Sequence, residues 1–242
     1  MNNSVKPQHK YDNDYYAIDS NYDKMLFKGK KPFHYFFWRR KLKKLNINGS
    51  LLDIGCGKSF FLEYMAKFYS TMGTDVSKYA VLESKKILDE VPLCVADATS
   101  LCFKREIFDI VTAFDIIEHL NNPKQMFDEC NFILKLNGLL VLTTPNTNSV
   151  GLIIKQDEWF GYRDSTHVSL LSPSEWTVLL EESGFQVINI YYDGLWDSPY
   201  FTKVPIFLQH ILFKYLSTIL LSFGITFPQK YGEDLYLIAR KV

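Results

Sequence analysis

Between Ser50 and Thr144 the chain alternates between two textures, and this constrains its fold more than any other feature. Short apolar runs (LLDIG, STMGTD, VPLCVAD, FDIVTAFDII, GLLVLTT) are separated by stretches with helical spacing. Apolar runs without polar alternation suit strands buried on both faces. A parallel sheet covered by crossover helices requires this. The expected class is α/β, a mostly parallel sheet with helices on both faces.

Punctuation along the chain supports that reading. In Asn122-Pro123, asparagine offers an N-cap oxygen and proline takes the first helical position, with Gly138 expected to end the helix. Ser172-Pro173-Ser174-Glu175 spells a capping box, Trp176, Leu179 and Leu180 supply the inward face, and Gly184 stops the helix. Two more strands are expected at Phe185 to Tyr192 and Asp234 to Lys241. Residues 1–45 read as a cap: a tyrosine-rich arm (Tyr11, Tyr15, Tyr16, Tyr22), then a helix from Phe33 to Leu45. Residues 46–242 form the main domain, with a helical insertion at about 194–231 before the last strand.

At 242 residues the chain is long enough for one domain with a sizeable core. Its 27 basic and 27 acidic side chains cancel, so it lacks the positive field of a non-specific nucleic-acid binder, and no nucleic-acid partner is expected. Cys56, Cys94, Cys102 and Cys130 show no metal-ligand spacing and read as reduced, mostly buried thiols; no metal is assigned. Met1 to Lys10 lacks the apolar run of a secretory signal, so a cytoplasmic location is expected.

The strongest chemical signal is Leu51-Leu-Asp-Ile-Gly-Cys-Gly-Lys-Ser59. A buried strand closes at Asp53, and Gly55 and Gly57, flanking Cys56, let the backbone turn tightly and approach a ligand. Asp75, followed by Val76, closes the second strand, and Asp97, followed by Ala98, closes the third. These acids converge on the crevice at the carboxyl ends of the strands. A dinucleotide site would place a third glycine where Phe60 stands, and pyrophosphate would be repelled by Asp53, so an NAD-dependent reductase is the weaker alternative. A ligand with a cationic amino-acid end, a ribose and an adenine suits three carboxylates better.

These motifs, together with Phe108-Asp-Ile-Val-Thr-Ala-Phe-Asp-Ile-Ile-Glu-His119, resemble the class I S-adenosylmethionine-dependent methyltransferases. The likeness is to their small-molecule branch, with the ubiquinone-pathway O-methyltransferases and those of surface-polysaccharide gene clusters. It covers residues 45–192 and the last strand. The resemblance implies a Rossmann-like seven-stranded sheet with an antiparallel last strand and S-adenosyl-L-methionine as cofactor. It assigns Asp53, Gly55, Cys56 and Gly57 to the methionine part, Asp75 and Val76 to the ribose, Asp97 and Ala98 to the adenine, and Phe114 and Asp115 to the cofactor's border. The family often has glycine at the position of Ser59.

For chemistry, the resemblance sets Glu118-His119 near the cofactor's methyl end, and His167, on the loop after the fifth strand, faces the same rim. Either imidazole could take a proton from a hydroxyl, since the side chain titrates near working pH. The expected activity is methyl transfer to an oxygen of a small-molecule, glycan or lipid-like acceptor, with a catalytically silent scaffold as the non-enzyme alternative. Arg39 and Arg40 are candidates for the cofactor carboxylate. Val204 to Phe223 reads as an amphipathic helix with three roles open beyond packing on its own domain: a lid, a homodimer contact or a membrane-surface helix. All four tryptophans, Trp38, Trp159, Trp176 and Trp196, lie outside residues 51–150, which suggests that the flanks build an apolar acceptor pocket.

Overall fold

The computed structural model describes residues 32–242. The expected tyrosine-rich arm lies outside the described residues. Seven strands form one sheet: β1 (Ser50–Ile54), β2 (Ser70–Asp75), β3 (Leu93–Val95), β4 (Phe108–Phe114), β5 (Leu134–Pro145), β6 (Phe185–Tyr192) and β7 (Asp234–Lys241). Their order is β3-β2-β1-β4-β5-β7-β6. β1, β2, β3, β4 and β5 pair in parallel, and β7 inserts antiparallel between β5 and β6. The order reverses at β1 and β4, and this is where such sheets open a crevice for ligands.

The helices are α1 (Pro32–Lys44), α2 (Phe60–Met65), α3 (Lys78–Lys85), α4 (Pro123–Ile133), α5 (Val150–Lys155), α6 (Phe160–Arg163) and α7 (Pro173–Glu182). A last helical run joins α8 (Ile206–Gln209) through a π-helical segment (His210–Tyr215) to α9 (Leu216–Ser222). One face of the sheet packs on α4 and α7 through Leu52, Val111, Leu140, Phe127 and Trp176. The other packs on α1 and α2 through Leu51, Ile110, Val141, Trp38, Phe61 and Leu62. This two-sided burial explains why the strands read as continuous apolar runs.

The capping box at Ser172 and Glu175 forms, and Gly184 follows α7 with φ +78°. Two local expectations fail. Asn122 makes no side-chain cap, although Pro123 does start α4. Gly138 lies within β5 rather than ending α4, because the helix runs straight into the strand at Leu134 and Asn137, at φ 63°, takes the left-handed turn. Gly138 is needed for space, since a Cβ would lie 2.8 Å from the Lys135 carbonyl.

The tryptophans also depart from expectation. Trp38, Trp159 and Trp176 are fully buried and build core rather than an acceptor pocket. Of the thiols, Cys56 and Cys130 are buried, but Cys94 is half-buried and Cys102 exposed. No helix among the described residues is long and apolar enough to cross a membrane.

Candidate active site

The carboxyl ends of β1 and β2 bring the first two acids together. Asp53 pairs in register with Gly73 and Thr112, which fixes its side chain inside the sheet's rim. It is buried, and its Oδ1 accepts from the Thr112 hydroxyl at 2.6 Å. Burial pushes its carboxyl up to about 7, opposed by the Thr112 hydrogen bond and reinforced by Asp75. Gly55 takes φ +68°, and a Cβ there would fall 2.1 Å from Ile116 Cδ1, so a side chain would be strained and would force Ile116 to move. Cys56 is buried behind it with its amide on the Thr74 carbonyl at 2.9 Å, and burial pushes its thiol pKa well up.

Asp75 accepts from the amide of Gly57 on Oδ2 and from that of Ser77 on Oδ1, each at 2.8 Å. The carboxylate thereby ties the glycine turn to the start of α3, with Val76 half-buried between. Asp97 stands two residues beyond the end of β3 rather than closing the strand. Its Oδ1 accepts from the amide and hydroxyl of Thr99 at 2.8 and 2.7 Å, and Ala98 is buried beside it. Ala96 donates to the Asp75 carbonyl at 3.0 Å, which joins the second and third acid loops.

At the end of β4, Phe114 stacks on Trp38 at 5.4 Å and meets Phe61 edge-on at 4.9 Å. Asp115 is exposed at φ 56°, and its Oδ1 accepts from the Thr143 hydroxyl at 2.6 Å. A short 3-10 turn, Ile117–His119, follows. The Glu118 carbonyl accepts from the amides of Val168 and Ser169 at 2.8 and 2.9 Å, so this turn is bolted to the loop between α6 and α7. His119 and His167 consequently meet, with ring centroids 4.7 Å apart. The sequence-predicted pair therefore shares one site.

Burial lowers the His119 pKa to about 4, with His167 adding to the shift, so the ring is neutral at pH 7. Its Nδ1 lies 2.7 Å from the Thr166 hydroxyl, which also lies 2.6 Å from Asp164 Oδ1. His167 Nδ1 donates to the Gly161 carbonyl at 2.7 Å. The Glu118 carboxylate is fully buried, and burial, aided by Asp115 and opposed by the nearby Thr144 hydroxyl, raises its pKa well above the usual range. Glu118, His119 and His167 offer ligand atoms within 4.8 Å of one another, a spacing that could hold a metal ion.

Arg39 does not reach this region. Its guanidinium lies 4.1 Å over the ring of Phe68, which precedes β2 at the opposite, amino edge of the sheet. Arg40 packs near Gly224 in the insertion. Thr112, Asp164 and Thr166 escaped the sequence reading. Asp-x-Thr at 164–166 was the available signal, since Asp164 Oδ1 accepts from the Thr166 amide at 2.7 Å in a local turn.

A doubly wound sheet of this order with a reversed β7, a glycine turn after β1 and acids after the next two strands defines the class I S-adenosylmethionine-dependent methyltransferase fold. Residues 24–190 match the family model described as a methyltransferase domain, and the chain belongs to that family. The NAD-dependent reductase reading falls with it.

A ubiquinone biosynthesis O-methyltransferase of Dinoroseobacter shibae is 29% identical over 57% of this chain and 60% of its own length. Its counterpart in Bradyrhizobium diazoefficiens is 32% identical over 46% of each chain. The chain thus spans less than two thirds of these relatives. A SAM-dependent methyltransferase structure from Archaeoglobus fulgidus superposes with TM-score 0.65 at 20% identity, covering 94% of this chain and all of the other. One from Clostridium acetobutylicum gives 0.64 at 15% identity, covering 95% and 99%. At these identities the likeness is one of fold.

Proposed function

We propose that this protein transfers the methyl group of S-adenosyl-L-methionine to an oxygen of a small-molecule, glycan or lipid-like acceptor. The carrying observation is the neutral imidazole of His119, set beside His167 on the same sheet edge as the three acids. The donor site suits a cationic ligand. Among the described residues, Asp53 is buried with a hydroxyl and no basic side chain among the groups that shift it, so a ligand's positive end would supply a counter-charge. Asp53 with the Gly55-Cys56-Gly57 turn would hold the methionine part, Asp75 and Val76 the ribose, and Asp97 with Ala98 the adenine, with Phe114 and Asp115 at the border.

When bound, S-adenosylmethionine supplies an already electrophilic methyl, whose bond to sulfur breaks as the acceptor oxygen takes it. The protein's own tasks are alignment, exclusion of water and acceptance of one proton. His119 serves as the base, and His167 packs against it and limits its orientations. Titration calorimetry with S-adenosylhomocysteine, followed by methyl transfer to panels of phenols, glycans and prenylated phenols, tests this reading. Absence of binding at millimolar ligand overturns it. Binding without turnover on any acceptor favours the silent scaffold, and products methylated only on nitrogen or carbon remove the oxygen assignment.

The insertion favours a lipid-like acceptor met at a membrane surface. Its helix turns polar Gln209 and Ser217 inward and leaves Phe207 at 69% and Phe223 at 65% exposure, with Ile211, Leu212, Leu216 and Ile219 also exposed. Gln209 is held by the backbone of Tyr200, Phe201 and Val204. A cavity of about 260 Å³ lined by Leu195, Leu212, Phe213, Leu216, Leu220 and Phe227 opens beneath. Flotation with anionic liposomes is the test. Co-migration that is lost in a Phe207→Ser/Phe223→Ser variant is expected, and a protein that stays at the bottom removes the membrane contact.

A further inference from the structure

Taken alone, the insertion is a poor membrane helix. Helices that rest on a bilayer combine apolar burial with several basic side chains that meet anionic headgroups, and from Ile206 to Ser222 the one lysine or arginine is Lys214. The charge it lacks comes from the other end of the chain. α1 carries Arg39, Arg40, Lys41, Lys43 and Lys44 and no acid. Residues 32–52 and 198–232 together hold eight of the 27 basic side chains and none of the 27 acidic ones, so the balanced total charge hides a segregation. The fold joins the two segments. Leu221 of α9 is buried with Phe37, Trp38 and Leu42 of α1. Lys41 Nζ donates to the Gly224 carbonyl at 3.5 Å, and a Cβ on Gly224 would lie 3.4 Å from Arg40 Cδ, so Arg40 lies against the turn that follows the exposed Phe223.

The basic side chains of α1 divide by face. Arg39 and Lys41 turn inward, over the rings of Phe68 and Tyr191. Phe36, Lys43 and Lys44 stand four, three and four residues from Arg40, and all four are exposed, so they share one stripe. Among the described residues no carboxylate pairs with Arg40, Lys43 or Lys44. We propose that this stripe and the apolar ridge of the insertion form one surface that docks on an anionic lipid bilayer, with α1 supplying the headgroup contacts. The inference rests on the membrane contact proposed for the insertion, and adds to it a second element and the charge of the lipid. Anionic headgroups match an acid-free cationic row, and the acyl region takes Phe207, Ile211 and Phe223 out of water. A nucleic acid would use the charges and leave those rings and side chains exposed.

Co-sedimentation of the full chain with vesicles tests this, using phosphatidylcholine alone and phosphatidylcholine with about one third phosphatidylglycerol. Wild type should bind the anionic vesicles at least about tenfold more tightly than the neutral ones. Raising salt from about 0.1 M to about 1 M shortens the screening length from about 10 to about 3 Å and should remove that preference. Arg40→Gln/Lys43→Gln/Lys44→Gln should lose about tenfold to a hundredfold on anionic vesicles and nothing on neutral ones. Arg40→Lys/Lys43→Arg/Lys44→Arg, which keeps the charge, should bind as wild type. A glutamine variant that binds as wild type, while Phe207→Ser/Phe223→Ser does not, leaves the insertion's contact standing and overturns the part given to α1. Wild type that binds neither vesicle overturns both. A DNA duplex that binds wild type as tightly and displaces it from the vesicles assigns the basic row to nucleic acid and overturns lipid docking. Methyl transfer to soluble acceptors is independent of every one of these outcomes.

Discussion

The Thr112 hydroxyl donates to Asp53 Oδ1 across the β1–β4 pairing at 2.6 Å, and this hydrogen bond counters the burial that sets the carboxyl's pKa near 7. With Asp53 at the cationic end of the ligand, as proposed, a methyl donor would bind the ionised form. Its affinity should therefore rise roughly tenfold from pH 6 to pH 7.5, a window in which the donor's own amino group stays largely protonated. Thr112→Val removes the stabilising donor and should move the midpoint upwards. Calorimetry across this range checks both, and a flat profile removes Asp53 from the cationic end of the ligand.

The same shift has a stability consequence. The folded pKa lies above the unfolded value, so the contribution is fully present below about pH 4 and is lost as pH rises through about 7. Asp53→Asn cannot ionise and escapes that loss. The stability of the ligand-free variant relative to wild type should therefore grow by on the order of 2 to 3 kcal/mol from pH 5 to pH 8, the two differing least below about pH 4. Denaturant melts at the two pH values decide it, and equal stability at both refutes the buried-charge account.

Ser59 carries φ 56° at the N-cap of α2, in the left-handed region and without a side-chain cap. A Cβ there costs about 1 to 2 kcal/mol, partly offset in glycine by the extra entropy of the unfolded chain. Ser59→Gly should stabilise by a few tenths to about 1 kcal/mol, whereas Ser59→Ala, which keeps the Cβ, should not. Thermal melts of the two variants provide the comparison. A glycine variant less stable than the alanine one would show that strain is not what Ser59 contributes.

What the sequence reveals about this protein follows the range of each interaction. Asp53, Gly55, Gly57 and Asp75 are legible because a strand end, a tight turn and a helix start are consecutive, and their chemistry is local. Gly138 misleads because glycine signals a helix end, while the left-handed turn falls one residue earlier at Asn137, a residue that tolerates it. The helix from Ile206 to Ser222 is legible as amphipathic but not in its orientation. The backbone of Tyr200, Phe201 and Val204 satisfies the buried Gln209, and no periodicity encodes that contact. His119 and His167 each looked plausible alone, and their meeting depends on the Glu118 clamp, which involves a carbonyl and so has no side-chain signature. The tryptophan distribution was real, but composition cannot separate a core from a pocket lining.

Asp75 holds the glycine turn and, in the proposed function, also the ribose. Asp75→Ala leaves the Gly57 and Ser77 amides without their acceptor, at about 1 to 3 kcal/mol of stability, and removes the ribose contact. S-adenosylhomocysteine affinity should fall on the order of 10-fold to 100-fold. Asp75→Asn, which retains one accepting oxygen, should lie between the two. Calorimetry at a temperature where every variant is folded separates the effects, and an unchanged affinity for Asp75→Ala excludes this carboxylate from the cofactor site.

Glu233 anchors the insertion to the domain. Its buried carboxylate accepts from Ser149 Oγ at 3.0 Å, Trp159 Nε1 at 2.8 Å and Tyr200 OH at 2.5 Å, which joins the N-cap of α5, the α5–α6 segment and the loop leading to α8. Burial raises its pKa, while these three donors hold it down. Glu233→Ala strands all three buried donors at once and should cost about 3 to 5 kcal/mol. Because Tyr200 loses its anchor, residues 194–231 should become cleavable by trypsin at Lys203 and Lys214 before the sheet unfolds, with an early change in Trp159 fluorescence. Cleavage that appears only together with global unfolding would show that the insertion is held by its contacts with α1 instead.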